Sequence, residues 1–273
     1  MDLNMKTLTI GASGFVGGVL HRKLSSANGY TAMGTYKSRG SKGILGLDVL
    51  DKEAVDALIA CLEPDVVIWS ICDMQNEPVL TNIGLENLLS AINRRCTLVY
   101  FSTNVFGGGR GGYSEDDALD YVKKNNHLDA YAQGKIAGEN KVKQHENHMI
   151  IRPGVIYGQD IHGQWDKRMS RMISAVKNHE PVFLSKNNIA TWVTVDFIAD
   201  AVDSLLRKSF RGVIHLGTDE KESGYTMNCK IARQLGLDTG LIHPVDDGFT
   251  DNAFDLAKQH DVLKDLCRGR AGH

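Results

Sequence analysis

Residues 6–17 read KTLTIGASGFVG, a stretch that few chain arrangements can accommodate. Thr7-Leu8-Thr9-Ile10 is a short run rich in apolar and β-branched residues, which predicts a buried strand. Gly11-Ala12-Ser13-Gly14-Phe15-Val16-Gly17 then turns sharply and opens a helix continuing through Val19, Leu20 and Leu24. Gly11 permits the tight turn, Gly14 lets backbone approach a ligand, and Gly17 lets the helix pack against the strand, while free N–H groups face an anion. The spacing is GxxGxxG rather than GxGxxG, so a phosphate cradle is matched in mechanism but not letter for letter. Ser13, Phe15 and Val16 are the other candidate contacts in this turn. A glycine turn used only for packing looks the same, and the rest of the chain has to decide.

At 273 residues with 42% hydrophobic content, the chain suits one large α/β domain or two small ones. A net charge of -2 with interspersed signs leaves no basic stripe, which argues against a nucleic-acid partner and for a small molecule. Cys61, Cys72, Cys96, Cys229 and Cys267 are scattered without CxxC or Cys/His spacing, so no metal site is read and a reduced, cytoplasmic protein is expected. No segment approaches the ~18 consecutive apolar residues of a membrane span. The N-terminal apolar run carries glycines and no cleavage site, so no signal peptide is read.

Residues 30–36 predict a second strand ending at Tyr36, followed by Lys37-Ser38-Arg39. An NAD site places an acid about 20 residues past the glycines, on the ribose hydroxyls. Two cations and a serine stand there instead and would welcome a ribose phosphate, so NADP(H) is preferred and NAD(H) is the lesser option; a solvated basic turn is the bland alternative. A short strand at 44–47 is closed by Asp48 and Val49, both candidate cofactor contacts; Asp48 either caps the helix expected at 51–62 or lies against an adenine. Residues 66–69 form the continuous apolar run that a parallel strand covered on both faces requires. Ser70-Ile71-Cys72 end it, where an open α/β sheet presents its ligand crevice.

A helix is expected over 77–93, with Pro78 tolerated in its first turn and Asn82 on its length. The strand at 98–101 ends in Ser102, Thr103 and Asn104, and the glycine run 107–112 predicts a mobile loop or a plain linker. The helix expected at 128–144 carries Tyr131 and Lys135 one turn apart on one face. After a strand at 149–151, Arg152-Pro153-Gly154-Val155-Ile156-Tyr157-Gly158 reads as a loop. The pattern then changes to a basic amphipathic helix over 164–178, whose Lys167, Arg168 and Arg171 are either solvated or set to hold a diphosphate. Residues 191–195, with Trp192, and a helix at 196–206 return to the core. A strand at 213–216 and late helices at 228–235 and 254–266 complete the expectation. The fold class is α/β: a doubly wound, mostly parallel Rossmann sheet over 1–156 with a return at 191–216, and a smaller C-terminal substrate lobe from 157–190 and 217–273.

Taken together, GASGFVG at Gly11, LDVLD around Asp48, PDVVIWSIC from Pro64, FSTNVFGG from Phe101, Tyr113-Ser114-Glu115-Asp116, YAQGKIAGE from Tyr131, IRPGVIYG from Ile151 and WVTVDFIADAV from Trp192 form an ordered set. Over nearly the whole chain this set resembles the extended short-chain dehydrogenase/reductase family, and looks most like its dTDP-4-dehydrorhamnose reductase branch. The resemblance implies a catalytic group of a strand-end hydroxyl, Tyr131 as proton donor and Lys135 as the cation that lowers the tyrosine pKa and holds the nicotinamide ribose. It further implies cofactor contacts at Ser70, Ile71, Cys72, Asn82, Arg152, Pro153 and Val155, and substrate contacts at Asn104, Lys167, Arg168, Arg171 and Trp192. The implied substrate is a nucleotide-linked 4-keto sugar and the implied assembly a homodimer.

Two departures stand out. Counting back from Val105 selects Ser102 as the hydroxyl and counting forward from Phe101 selects Thr103, with Thr103 preferred. The cofactor floor, often alanine in the family, is Ser70-Ile71-Cys72 here. Asn104-Val105 replaces the Asp-Glu pair that nucleotide-sugar dehydratases carry, so dehydration is disfavoured. Two other readings stay open: an epimerase with tightly held NAD, and a non-catalytic NADP-binding regulatory subunit of the kind found as the methionine adenosyltransferase β subunit.

Overall fold

The computed structural model describes residues 4–38, 40, 43–121, 125 and 127–268. In chain order, β1 (Met5–Ile10), α1 (Phe15–Ser26), β2 (Tyr30–Tyr36), β3 (Leu45–Gly46), α2 (Lys52–Leu62) and β4 (Val66–Trp69) form the first half of the central sheet and its covering helices. A helix with three parts follows: α3 (Glu77–Val79), a π-turn segment (Leu80–Leu85) and α4 (Glu86–Ala91). Next come β5 (Thr97–Phe101), α5 (Asp129–Val142), β6 (His148–Pro153), β7 (Val155–Tyr157), α6 (Lys167–Lys177), β8 (Val182–Ser185), β9 (Asn188–Thr194), α7 (Val195–Arg207) and β10 (Gly212–Leu216). The chain closes with β11 (Lys221–Ser223), α8 (Gly224–Gln234), a 3-10 turn (Thr239–Leu241), β12 (Ile242–Val245), β13 (Thr250–Asp251), α9 (Ala257–Val262) and α10 (Lys264–Arg268).

Seven strands in the order β10-β6-β5-β4-β1-β2-β3 make one sheet, every neighbouring pair parallel. All four residues of β4 and all five of β5 are buried, as strands covered on both faces must be. Successive side chains divide between the faces: Val66 and Ile68 pack with Val19, Leu20 and Leu24 of α1 and with α7, whereas Val67 and Trp69 pack with Val55 and Ile59 of α2 and Leu88 of α4. Strand order reverses between β1 and β4, so the crevice of such a sheet lies at their carboxyl ends, where Gly11 and Ser70 stand.

A smaller unit sits beside this sheet. In it β9 pairs with β7, β11 and β13, β8 pairs with β12, and α6 and α8 bury Met169, Met172, Val176, Trp192, Met227 and Ile231 together. Residues 188–194 thus join the smaller sheet, whereas α7 and β10 pack on the central one.

Three local expectations differ from what is observed. Arg152 and Pro153 complete β6, with Pro153 at the strand end opposite Leu216, where its missing N–H costs least. Gly154 then lets the chain cross between sheets, for a Cβ there would lie 2.4 Å from Thr191 O. The glycine run is tied down: Gly111 N donates to Asp251 O at 2.7 Å, Asp251 N donates to Gly109 O at 2.9 Å, and Arg110 pairs with Asp117. Positive φ at Gly109, Gly111 and Gly112 allows that fit. The helix beginning at Glu77 is interrupted by the π-turn rather than continuous, a feature that often accompanies functional sites. Among the described residues, no helix is long and apolar enough to cross a membrane.

Candidate active site

The glycine turn after β1 has the features a pyrophosphate needs. Gly11 has φ +89°, and a Cβ on Gly17 would lie 2.3 Å from Gly11 O and 2.3 Å from Ser70 Oγ, so helix, turn and β4 end meet at a separation only glycine allows. Gly14 caps α1 in an extended conformation with no side-chain bond, and no acid occupies the first turn. The N–H groups there are left for an anion, which the helix dipole favours. Ser13 is exposed at this opening, while Phe15 and Val16 pack half-buried against the core. Ser70 Oγ donates to Ile10 O at 2.7 Å, which fixes the β4 end against β1.

At the end of β2, Lys37 Nζ lies 2.8 Å from Asp48 Oδ2, and Asp48 also accepts from Leu50 N at 3.1 Å. The Lys37 ammonium holds the Asp48 carboxyl below the usual carboxylate range. Tyr36 is half-buried beside them, Ser38 is exposed, and Val49 is buried under Gly84. Arg39 lies outside the described residues.

The ends of β4 and β5 meet α5. Lys135 is 2% exposed; its Nζ lies 2.9 Å from Glu77 Oε1, donates to Phe101 O at 3.0 Å and sits over the rings of Tyr100 and Tyr131 at 5.0 and 5.8 Å. Thr103 and Tyr131 share a hydrogen bond. Burial pushes the Tyr131 phenol up; Lys135 and Thr103 pull it down without reversing the shift, and Cys72 and Glu77 raise it further. The lowering expected from Lys135 is therefore present but outweighed. Burial opposes the charge on Lys135 itself, yet Tyr100, Glu77, Tyr131 and Cys72 outweigh it and its pKa is raised. Cys72 stands beside the same group with part of its surface exposed; the protein packed around it raises its thiol, against the pull of Lys135 and, from α6, Lys167.

Ser102 points into a different network. Its Oγ donates to Glu139 Oε1 at 2.6 Å, and Arg152 grips the same carboxylate at 2.8 Å through both Nε and Nη2. Arg152 Nη1 reaches Asp117 O at 2.8 Å, tying β6 to the loop after β5. Although burial opposes ionisation of Glu139, Arg152 and Ser102 hold its carboxyl low. The structure thus brings Thr103, Tyr131, Lys135 and Cys72 together and sets Ser102 and Arg152 apart from them.

The other expected residues fall in several places. Ile71 closes over Gly11, with its Cγ2 2.4 Å from where a Cβ there would stand, and Asn82 is exposed on the π-turn. Asn104 is half-buried past the end of β5. Pro153 ends β6 and Val155 begins β7. Arg168 donates to Ile156 O and lies 3.6 Å from Asp166 Oδ1, whereas Arg171 is exposed. Trp192 is buried in the smaller unit, where its Nε1 donates to Glu222 O at 3.0 Å and its ring meets Tyr157 edge-on. Two residues escaped the sequence reading. Glu139 stands four places after Lys135 on the same helix, a spacing that could have revealed it; Glu77 reaches Lys135 only through the fold and has no local signal.

A parallel sheet in this order, with a glycine cradle at the end of β1 and a Thr-Tyr-Lys group where β5 meets α5, defines an extended short-chain dehydrogenase/reductase. The chain belongs to the family described by the RmlD substrate binding domain, whose profile matches residues 5–254. It is similar to the methionine adenosyltransferase 2 subunit beta of Xenopus tropicalis, with 25% identity over 265 residues covering 89% of this chain and 75% of that protein. Its fold matches the crystal structure of a hypothetical dTDP-4-dehydrorhamnose reductase from Sulfolobus tokodaii, with TM-score 0.78, 24% identity and 95% of each chain covered. It also matches dTDP-4-dehydrorhamnose reductase from Bacillus anthracis in complex with NADP, with TM-score 0.75, 21% identity, and 96% of this chain and 92% of that chain covered.

Proposed function

We propose that this chain is an NADP(H)-dependent reductase acting on the keto group of a nucleotide-linked 4-keto sugar. The observation that carries the reading is the Thr103–Tyr131 hydrogen bond with Lys135 beneath it, at the strand ends that also bear the glycine cradle. Reduced nicotinamide, when bound, supplies the hydride. Tyr131 gives its phenolic proton to the developing alkoxide, and Thr103 fixes the carbonyl oxygen beside that phenol. Lys135 steadies the ring and, in this reading, also holds the ribose. Ser102 acts only as support, through Glu139 and Arg152. The cofactor rests on the central sheet with its covering helices, which α7 and β10 complete, and the sugar nucleotide on the smaller unit built from α6, α8 and the strands that pair around β9 and β8. Lys167, exposed at the start of α6 and near enough to act on the Cys72 thiol, is the cation assigned to the diphosphate.

The test is NADPH consumption with a dTDP-linked or UDP-linked 4-keto sugar. Tyr131→Phe should lower turnover by about 10²–10⁴ while NADPH affinity is retained. Full activity in that variant overturns the assignment. A second reading, a non-catalytic NADP-binding regulatory subunit, is motivated by the 25% identity to the methionine adenosyltransferase 2 subunit beta. Firm NADPH binding with no turnover of either sugar by the unmodified chain selects it.

A further inference from the structure

We infer that Glu77 is a positioning residue of this site: its carboxylate fixes the ammonium of Lys135 and offsets its charge, so that Tyr131 is kept as a neutral phenol ready to donate a proton. The inference rests on the reductase reading for its consequence, though not for its geometry. Glu77 is fully buried, with Oε1 2.9 Å from Lys135 Nζ and Oε2 accepting from Asp73 N at 2.8 Å. The contact is built rather than incidental. Gly134, immediately before Lys135 in α5, leaves the notch that Glu77 fills, since a Cβ there would lie 2.6 Å from Glu77 Cγ and 2.8 Å from its backbone carbon. Glycine inside a helix is less favourable than alanine, so the notch is kept against the helix's own preference. One turn along, Thr81 Oγ1 donates to Gly134 O at 3.1 Å and locks the π-turn segment to α5.

The groups around Lys135 and Tyr131 can be named from each side. Cys72 past the β4 end, Tyr100 on β5, Thr103 beyond it and Glu77 on α3 act on this pair, while Asp73 and, from α6, Lys167 act on Cys72, and Glu139, one turn on in α5, acts on Tyr100. Of these, Glu77 alone makes an ion pair with Lys135. An uncompensated buried ammonium beside a phenol favours the phenolate; a carboxylate paired with that ammonium cancels much of the pull. The result is a site biased toward giving a proton rather than taking one.

Reduction needs the phenol protonated, so its rate falls as pH rises through the Tyr131 ionisation. In Glu77→Gln that alkaline fall should begin on the order of one pH unit lower, because a nearby negative charge is gone while shape is kept. Glu77→Asp, which keeps the charge, should leave the fall near its original pH even where turnover drops. A purely structural glutamate would lower turnover in both variants without moving the profile, and that result overturns the inference. A second measurement needs no substrate: the tyrosinate absorbance step of Tyr131, isolated by subtracting the Tyr131→Phe trace in each background, should lie lower in Glu77→Gln than in the unmodified chain. An unmoved step overturns the inference, whereas failure of every ketone overturns the reductase reading and leaves this titration to decide on Glu77.

Discussion

Replacing Lys37 by alanine tests how the chain chooses between cofactors. Lys37 is the one cation of the basic turn that the described residues place, and it is already paired with Asp48 at 2.8 Å, with side chains 61% and 43% exposed. A ribose phosphate must draw the ammonium from that pair. An exposed ion pair is worth about 0.2–1 kcal/mol. A charge-assisted bond to phosphate is worth about 1.5–3 kcal/mol, so the exchange leaves roughly 1–2 kcal/mol in favour of the phosphate. Lys37→Ala should therefore weaken NADPH binding by about 5- to 30-fold. NADH lacks the phosphate and should bind nearly as before. Asp48→Asn should act in the opposite sense, strengthening NADPH a few-fold by freeing the lysine and removing a negative charge beside the phosphate. Calorimetric titration of the three proteins with both cofactors, at low and at moderate salt, reads all of this, and the NADPH effect should shrink as salt rises. Equal weakening of NADH and NADPH, or no change in either, would refute the assignment of Lys37 to the phosphate.

Acid stability should depend on His215, which is fully buried, stacked on Phe254 at 4.1 Å, and pushed down to about 3 by burial and then by Arg152. The unfolded chain takes up this proton below about pH 6.5 while the folded chain does not, so stability falls as pH drops from there toward the folded value, by about 2 kcal/mol between about pH 7 and pH 5 from this residue. His215→Phe should flatten that part of the urea-midpoint profile; an unchanged profile would show that the ring is not held neutral. Gly17→Ala places a Cβ 2.3 Å from Gly11 O and 2.9 Å from Gly11 C, which forces the α1 start away from the turn. Stability should fall by about 1–3 kcal/mol and NADPH affinity should fall with it; a variant that melts and binds like the original would contradict the cradle.

The amino-acid sequence by itself determined the features that depend on neighbours along the chain. The buried strands at Val66–Trp69 and Thr97–Phe101 follow from apolar runs, the cradle from Gly11, Gly14 and Gly17, and the shared face of Tyr131 and Lys135 from helical spacing. The helix start near Asp51 was legible from apolar spacing, whereas the cap itself is Asp51, whose side chain accepts from Ala54 N, rather than Asp48. Only the tertiary structure separated Ser102 from Thr103 in their surroundings. Adjacent residues of an extended chain point in opposite directions, so one residue of register sends one hydroxyl to Tyr131 and the other to Glu139. It also decided that Pro153 ends a strand, because the partner that tolerates it there, Leu216, comes from far along the chain. The same holds for the glycine run held by residues 250–255, whose anchoring bonds lie outside any local window. Glu77 is the clearest case: nothing in NEPVL marks its partner, and its meeting with Lys135 exists because two helices meet where Gly134 leaves room. Burial then gives that meeting its chemical weight, since a carboxylate withdrawn from water acts on a nearby ammonium far more strongly than the same pair on the surface.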